Sequence, residues 1–135
     1  MNNLYEKSSG KLPDKSHVDK EWFHGNLTRN QAYLVIMENQ TGNGSFLVRN
    51  NSSDEGSFTL CIYKNGKIYN YKINSESDQL FITNKHKFDT LNELIEFYKK
   101  NSAGLICELK TAIIEQNLIE KCSTLSITQS NNLSN

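Results

Sequence analysis

The sequence predicts an α+β domain, a central antiparallel sheet with one helix on each face. Three observations carry this. A run apolar on both sides, Phe46-Leu47-Val48, is bounded by turn residues and so suits a strand covered on both faces. Two alternating strands follow, joined by Lys64-Asn65-Gly66-Lys67, whose Asn-Gly is a strong hairpin signal. Two helical stripes, one before and one after these strands, supply one cover for each face.

The elements follow in order. Residues 1–19 are polar, with the only proline at Pro13, and are expected to form a mobile arm. Order is expected to begin at Glu21-Trp22-Phe23-His24-Gly25, an aromatic pair that anchors the terminus. Thr28-Arg29-Asn30-Gln31 reads as a capping box, opening a helix to about Asn39 with Ala32, Val35 and Ile36 on its buried stripe. The strand of Phe46 to Arg49 comes next. From Ser57 to Tyr63, Phe58, Leu60 and Ile62 alternate with Thr59 and Cys61; from Ile68 to Ile73, Tyr69, Tyr71 and Ile73 alternate with Asn70 and Lys72. Leu80 to Thr83 reads as a short fourth strand, and Phe88 returns to the core. Leu91, Leu94, Ile95 and Tyr98 mark a second helix starting at Asp89 or Thr90 and ending near Asn101. Leu105 to Cys107 and Ala112 to Ile114 read as closing extended segments, and 115–135 as a polar tail. The domain itself is expected over 20–114.

Composition narrows the function. Lysines and arginines number 15, as do aspartates and glutamates, so bulk charge does not favour nucleic acid or membrane surfaces. No run has transmembrane length and the N-terminus is no secretory signal. Three widely spaced cysteines with no CxxC pair suggest a reducing compartment, and hence a cytoplasmic location. His17, His24 and His86 fall on unlike segments, and no nucleophile elbow, metal-ligand cluster or P-loop is present. The expectation is a non-enzyme without metal or cofactor.

The strand that ends in Arg49 draws most attention. Arg49 shares a face with Leu47, so a guanidinium stands at the edge of a core. A charge there needs a partner. That partner is either an internal carboxylate or an anionic ligand forked by the guanidinium. The following loop, Asn50 to Gly56, is rich in small donors and can form an anion-holding concavity or an ordinary turn, while Asp54 and Glu55 oppose an anion. Arg29, in the first turn of its helix, reads on its own as a solvated surface residue.

These motifs resemble an SH2 domain, the phosphotyrosine-reading module. The resemblance is carried by Trp22-Phe23-His24-Gly25 with Leu27-Thr28-Arg29, by Gly44-Ser45-Phe46-Leu47-Val48-Arg49 and by Gly56-Ser57-Phe58-Thr59-Leu60. Tyr69-Asn70-Tyr71-Lys72-Ile73 and Phe88 with Leu91, Leu94, Tyr98 and Gly104-Leu105 complete it. It spans 21–114, and the Tyr71-Lys72 pair and the Gly104-Leu105 turn are most similar to the Src-like group. The resemblance implies that Arg49 forks the phosphate, that Arg29 contacts phosphate and ring, and that Lys72 flanks the ring. Ser52, Ser53 and Asn51 then stand in the phosphate-cradling loop, and Thr59 and Asn70 in the same pocket. Asn51 replaces a usual serine and Asn70 a usual histidine, and the hairpin after the second strand is short.

The resemblance further implies a hydrophobic socket for the third residue after phosphotyrosine, formed by Tyr71, Ile82, Thr83, Tyr98, Gly104 and Leu105. The partners implied are tyrosine-phosphorylated proteins or peptides, bound by a monomer without nucleic acid or membrane insertion. If these 135 residues are the whole protein, the chain would serve as a minimal adaptor, as a competitor masking phosphotyrosines, or as an effector delivered to the cytosol of a target cell. The competing reading is an SH2-like structural domain with an inactive phosphate pocket.

Overall fold

A computed structural model of the chain describes residues 15–51, 53–54 and 56–114. The expected arm and tail lie mostly outside these residues. Helix α1 spans Arg29–Asn39 and α2 spans Leu91–Lys100. The strands are β1 (Ser45–Asn50), β2 (Phe58–Lys64), β3 (Lys67–Glu76), β4 (Gln79–Phe81), β5 (Lys87–Phe88) and β6 (Thr111–Ala112). They form one sheet in the order β5-β4-β3-β2-β1-β6.

The sheet is mixed rather than wholly antiparallel. β6 pairs parallel with β1, at Ser45↔Thr111 and Phe46↔Ala112, while every other strand pair is antiparallel. The other half of the same β1 edge is taken by the N-terminal segment. The Val48 amide donates to Trp22 O, the His24 amide to Val48 O and the Asn50 amide to Gly25 O, each at 2.8 Å. The strand that carries Arg49 therefore has partners along both edges, which fixes its direction and its side-chain phase.

That phase divides the core in two. Phe46, Val48, Leu60, Ile62 and Ile73 pack with Leu91, Leu94, Ile95 and Tyr98 of α2. Leu47 and Cys61 pack on the opposite face with Ala32 and Ile36 of α1, closed by Ile113. One helix per face is the predicted arrangement, and it leaves β1 buried on both sides, from Ser45 to Arg49.

The helix starts are written in the sequence. The Thr28 hydroxyl accepts from the Gln31 amide at 3.1 Å, and the Gln31 side chain accepts from the Thr28 amide at 2.9 Å, closing the capping box. Thr90 caps α2 through the Glu93 amide. In the hairpin, Asn65 and Gly66 both have positive φ, 50° and 81°, as a two-residue primed turn requires. Asn43 braces that turn, accepting from the Asn65 amide at 2.7 Å.

Three expectations shift. Folded structure extends N-terminal to Glu21: Ser16–Asp19 form a 3-10 turn in which His17 is buried, its ring edge-on to Phe23 and Phe58. Aromatic burial there outweighs the polar composition of the segment. The fourth strand ends at Phe81, so Ile82 and Thr83 stand in the turn beyond it. Leu105 to Cys107 are not extended but belong to a turn, held down by the Ile106 amide donating to Tyr71 Oη at 2.9 Å.

Candidate functional site

Strand register places the polar residues of the α1 face in two rows. Arg49 pairs with Thr59 and Thr59 with Lys72; Leu47 pairs with Cys61 and Cys61 with Asn70. Side chains opposite one another on neighbouring strands point to the same face, so Arg49, Thr59 and Lys72 stand in line across the sheet. Arg29, the first residue of α1, overhangs them, and the loop after β1 closes the end. Together Arg29, Arg49, Asn51, Ser53, Thr59, Asn70 and Lys72 line a cavity of about 300 Å3. Seven of the eight residues expected at a phosphate pocket thus share one concavity; the eighth, Ser52, lies outside the described residues.

The floor is set by Arg49. It is 7% exposed, and its Nε is buried without a hydrogen-bond partner among the described residues. Among those residues, too, no carboxylate pairs with it, so the described structure holds a buried cation facing the cavity without an ion-pair partner. Leaving a buried donor unmatched costs free energy that an incoming acceptor would recover.

The loop is organised by Asn51. Its Oδ1 accepts from the Ser53 amide at 2.9 Å and its Nδ2 donates to Thr59 Oγ1 at 3.2 Å. Since Thr59 Oγ1 accepts there, its own hydroxyl proton is available to an anion in the cavity. The asparagine that replaces a serine therefore acts through Thr59 and through the loop backbone. Ser57 closes the loop, its amide donating to Asp54 O and its carbonyl accepting from the Asn51 amide, both at 3.0 Å.

Two residues that the sequence reading did not assign to the site belong beside it. Cys61 is fully buried under the floor, and its thiol donates to Asn70 Oδ1 at 3.0 Å. Burial pushes its pKa up, with the Arg49 charge offsetting part of the rise. Its alternation with Leu60 and Ile62, opposite Asn70, was the available signal. Asp54 reaches back across the rim: its Oδ2 is 2.8 Å from Lys72 Nζ and 3.1 Å from Ser57 Oγ. The Lys72 side chain bonded to it, then the Ser57 hydroxyl, hold the Asp54 carboxyl below the usual carboxylate range. Lys72 is thus not a free cation but one held by an exposed intramolecular carboxylate.

On the other face, the six expected socket residues separate by depth. Tyr98 is fully buried and Leu105 is 8% exposed. Tyr71 and Ile82 are half-buried against the α2 core, while Thr83 and Gly104 are exposed. Burial raises the pKa of the Tyr98 phenol and the nearby Thr83 side chain lowers it in part, yet Tyr98 Oη has no partner of hydrogen-bond geometry among the described residues.

The family model described as "SH2 domain" matches residues 22–98, 77 of the 135 residues and so more than half of the chain. The chain belongs to the SH2 domain family. SH2 domains bind phosphotyrosine-containing partners and are themselves non-catalytic. The chain is 35% identical over 89 residues to tyrosine-protein kinase abl-1 of Caenorhabditis elegans, covering 65% of this chain and 7% of that protein. It is 35% identical over 92 residues to tyrosine-protein kinase SYK of Gallus gallus, covering 67% and 15%. It is 37% identical over 98 residues to the phosphodiesterase gamma plc-3 of Caenorhabditis elegans, covering 68% and 7%. The chain therefore spans a small fraction of these relatives, all of which are far longer. Among the described residues no helix is long and apolar enough to cross a membrane.

Proposed function

We propose that this SH2 domain recognises phosphotyrosine in peptides or proteins through the cavity floored by Arg49. The observation that carries this reading is the buried, carboxylate-free Arg49 at the end of a fully paired strand, facing a cavity whose lining carries two further cations. Arg49 forks the phosphate, a geometry that guanidinium supplies and ammonium does not. Arg29 closes over phosphate and ring from α1. Thr59, Ser53 and the loop amides donate to the remaining oxygens, and Lys72 lies along the ring. A phosphoserine side chain is too short to reach Arg49 from the rim, which gives selectivity for the tyrosine ester. An inactive pocket would be expected to hold its arginine in an internal ion pair, and the described residues contain none.

Beyond phosphotyrosine, the reading includes a hydrophobic socket floored by Tyr98 and walled by Tyr71, Ile82 and Leu105, with small Thr83 and Gly104 at its mouth. It favours Ile, Leu, Val or Met at the third position after phosphotyrosine. Filling it contributes at most about 1.5–3 kcal/mol, as for any buried aliphatic side chain. The domain then acts as an adaptor or as a competitor that masks phosphotyrosines, in the cytoplasm of its own cell or of a cell into which it is delivered.

Peptides with phosphotyrosine, phosphoserine or unmodified tyrosine, each varied at the third following position, test both parts. Binding confined to the phosphotyrosine peptides, and tighter with Ile than with Asp or Gly, is expected. Equal affinity for Ile, Asp and Gly would show the socket closed, and binding of the unmodified peptide would overturn the phosphate pocket.

A further inference from the structure

Cys61 lies beneath the proposed pocket without lining it. Its side chain is fully buried in the smaller core, among Leu47, Ala32, Ile36 and Ile113. Among the buried members of that core it alone carries a polar hydrogen, and the thiol donates to Asn70 Oδ1 at 3.0 Å. Asn70 stands directly opposite Cys61 in the β2–β3 register, so the two side chains share a face. Asn70 itself is exposed and lines the Arg49 cavity. A group sealed in the core is thus bonded to a group that faces the ligand space.

The direction of that bond follows from its surroundings. Burial pushes the Cys61 pKa up, so the thiol keeps its hydrogen. The Arg49 guanidinium acts on the same sulfur through its charge and as a side-chain donor. A guanidinium donates and never accepts, so the thiol hydrogen is left for Asn70. With Oδ1 engaged from below, Nδ2 is the end of Asn70 with no partner among the described residues, and it carries two hydrogens. The last torsion of an asparagine is broad and roughly two-fold, so the amide can turn over and exchange donor for acceptor. The flipped amide would set its NH2 against the thiol hydrogen and turn its carbonyl oxygen toward a cavity proposed to take an anion. The thiol bond favours the other orientation.

We infer that Cys61 is a positioning residue of the phosphotyrosine pocket, holding the Asn70 amide so that Nδ2 is presented to the ligand and Oδ1 is turned away from it. The inference rests on the phosphotyrosine reading. It adds a donor on the side of the Arg49–Thr59–Lys72 row away from the Asn51 loop, because Cys61 and Asn70 each stand two residues along their strands from that row.

The test separates a hydrogen bond from packing. Cys61→Ser keeps a hydrogen to donate and gives up apolar bulk; Cys61→Val keeps apolar bulk and gives up the hydrogen. Isothermal titration with an alanine-flanked phosphotyrosine peptide reads the wild type, both Cys61 variants, Asn70→Ala and Cys61→Val/Asn70→Ala, with the melting temperature of each. Asn70→Ala should weaken binding about two- to tenfold, the range of one neutral hydrogen bond. Cys61→Val should lose a similar factor, Cys61→Ser should stay within about twofold of the wild type, and the double variant should be no weaker than Asn70→Ala alone. A packing role reverses the order of the two Cys61 variants, and that reversal overturns the inference. So does wild-type affinity in Asn70→Ala or in Cys61→Val, or a double variant in which the two losses multiply. Failure of the wild-type chain to bind the phosphopeptide overturns the phosphotyrosine reading, and the inference with it.

Discussion

At the scale of single residues, Asp54 sets the resting state of the proposed pocket. Its carboxylate occupies Lys72, and a phosphate entering the cavity meets both that pairing and the negative charge itself. Asp54→Asn should therefore tighten a phosphotyrosine peptide, by about two- to fivefold, the range of a half-exposed ion pair. In Asp54→Asn/Lys72→Ala the gain should vanish; isothermal titration of the four proteins measures the coupling. The same residue fixes how pH acts. Its carboxyl is held below the usual range, so Asp54 stays ionised between pH 7.5 and 5.5 and continues to hold Lys72. Over that window the phosphate takes up its second proton, near pH 6, against a described pocket lining that contains no histidine. Affinity should then fall as pH drops from 7.5 to 5.5, and a flat profile would argue against a dianion. The sequence disclosed that Asp54 and Glu55 oppose an anion. It did not disclose that Asp54 would reach Lys72, because that contact depends on how the loop after β1 folds back over the sheet.

At the scale of elements, β1 is the part on which the site depends, and its two ends are set by different devices. At its start Gly44 adopts φ +91°, and its carbonyl accepts from the Lys110 amide at 2.9 Å. A Cβ there would lie in hard contact with the Lys110 side chain and 3.1 Å from Glu108 O. Gly66 in the hairpin also has positive φ but would meet nothing within 4 Å. Gly44→Ala should cost about 2 kcal/mol or more, through strain and displacement of β6 together. Gly66→Ala should cost only the backbone strain, about 1–2 kcal/mol. Urea unfolding ranks the pair, and an equal or reversed order would show that β6 does not constrain the start of β1. The helices and the hairpin were legible because capping box, apolar stripe and Asn-Gly turn are local signals. The parallel pairing of β6 was not. Two residues of strand carry no period, and their partner lies more than sixty positions away. His17 was illegible for a similar reason: a polar neighbourhood hid an aromatic contact with Phe58 across the fold.

At the scale of the whole molecule, the sheet sorts functions by face. One phase of β1 and β2 builds the α2 core, while the other builds the smaller α1 core and, where that core gives way to solvent, the row Arg49, Thr59, Lys72. Alternation put Arg49 with Leu47, Thr59 with Cys61 and Lys72 with Asn70 on shared faces, since the members of each pair are two residues apart, but the place of Thr59, Asn70 and Lys72 in a phosphate pocket came from the resemblance alone. Arg29 could not be placed by local pattern, because a first-turn arginine reads as surface until the helix is laid over the sheet. The socket residues were legible as a set, but their depth was not: Tyr98 is sealed in the core while Thr83 and Gly104 are open to solvent. The central claim is that a buried, forked arginine reads the phosphate. Isothermal titration of a phosphotyrosine peptide into the wild-type chain and into Arg49→Lys, with the melting temperature of each protein checked, tests it most directly. Lysine keeps the charge and loses the fork. The account predicts measurable phosphate-dependent binding to the wild type and a loss of at least about thirtyfold in a folded Arg49→Lys, the lower end of what breaking a buried charge pair costs. Equal affinity of the two proteins for the phosphopeptide would contradict it.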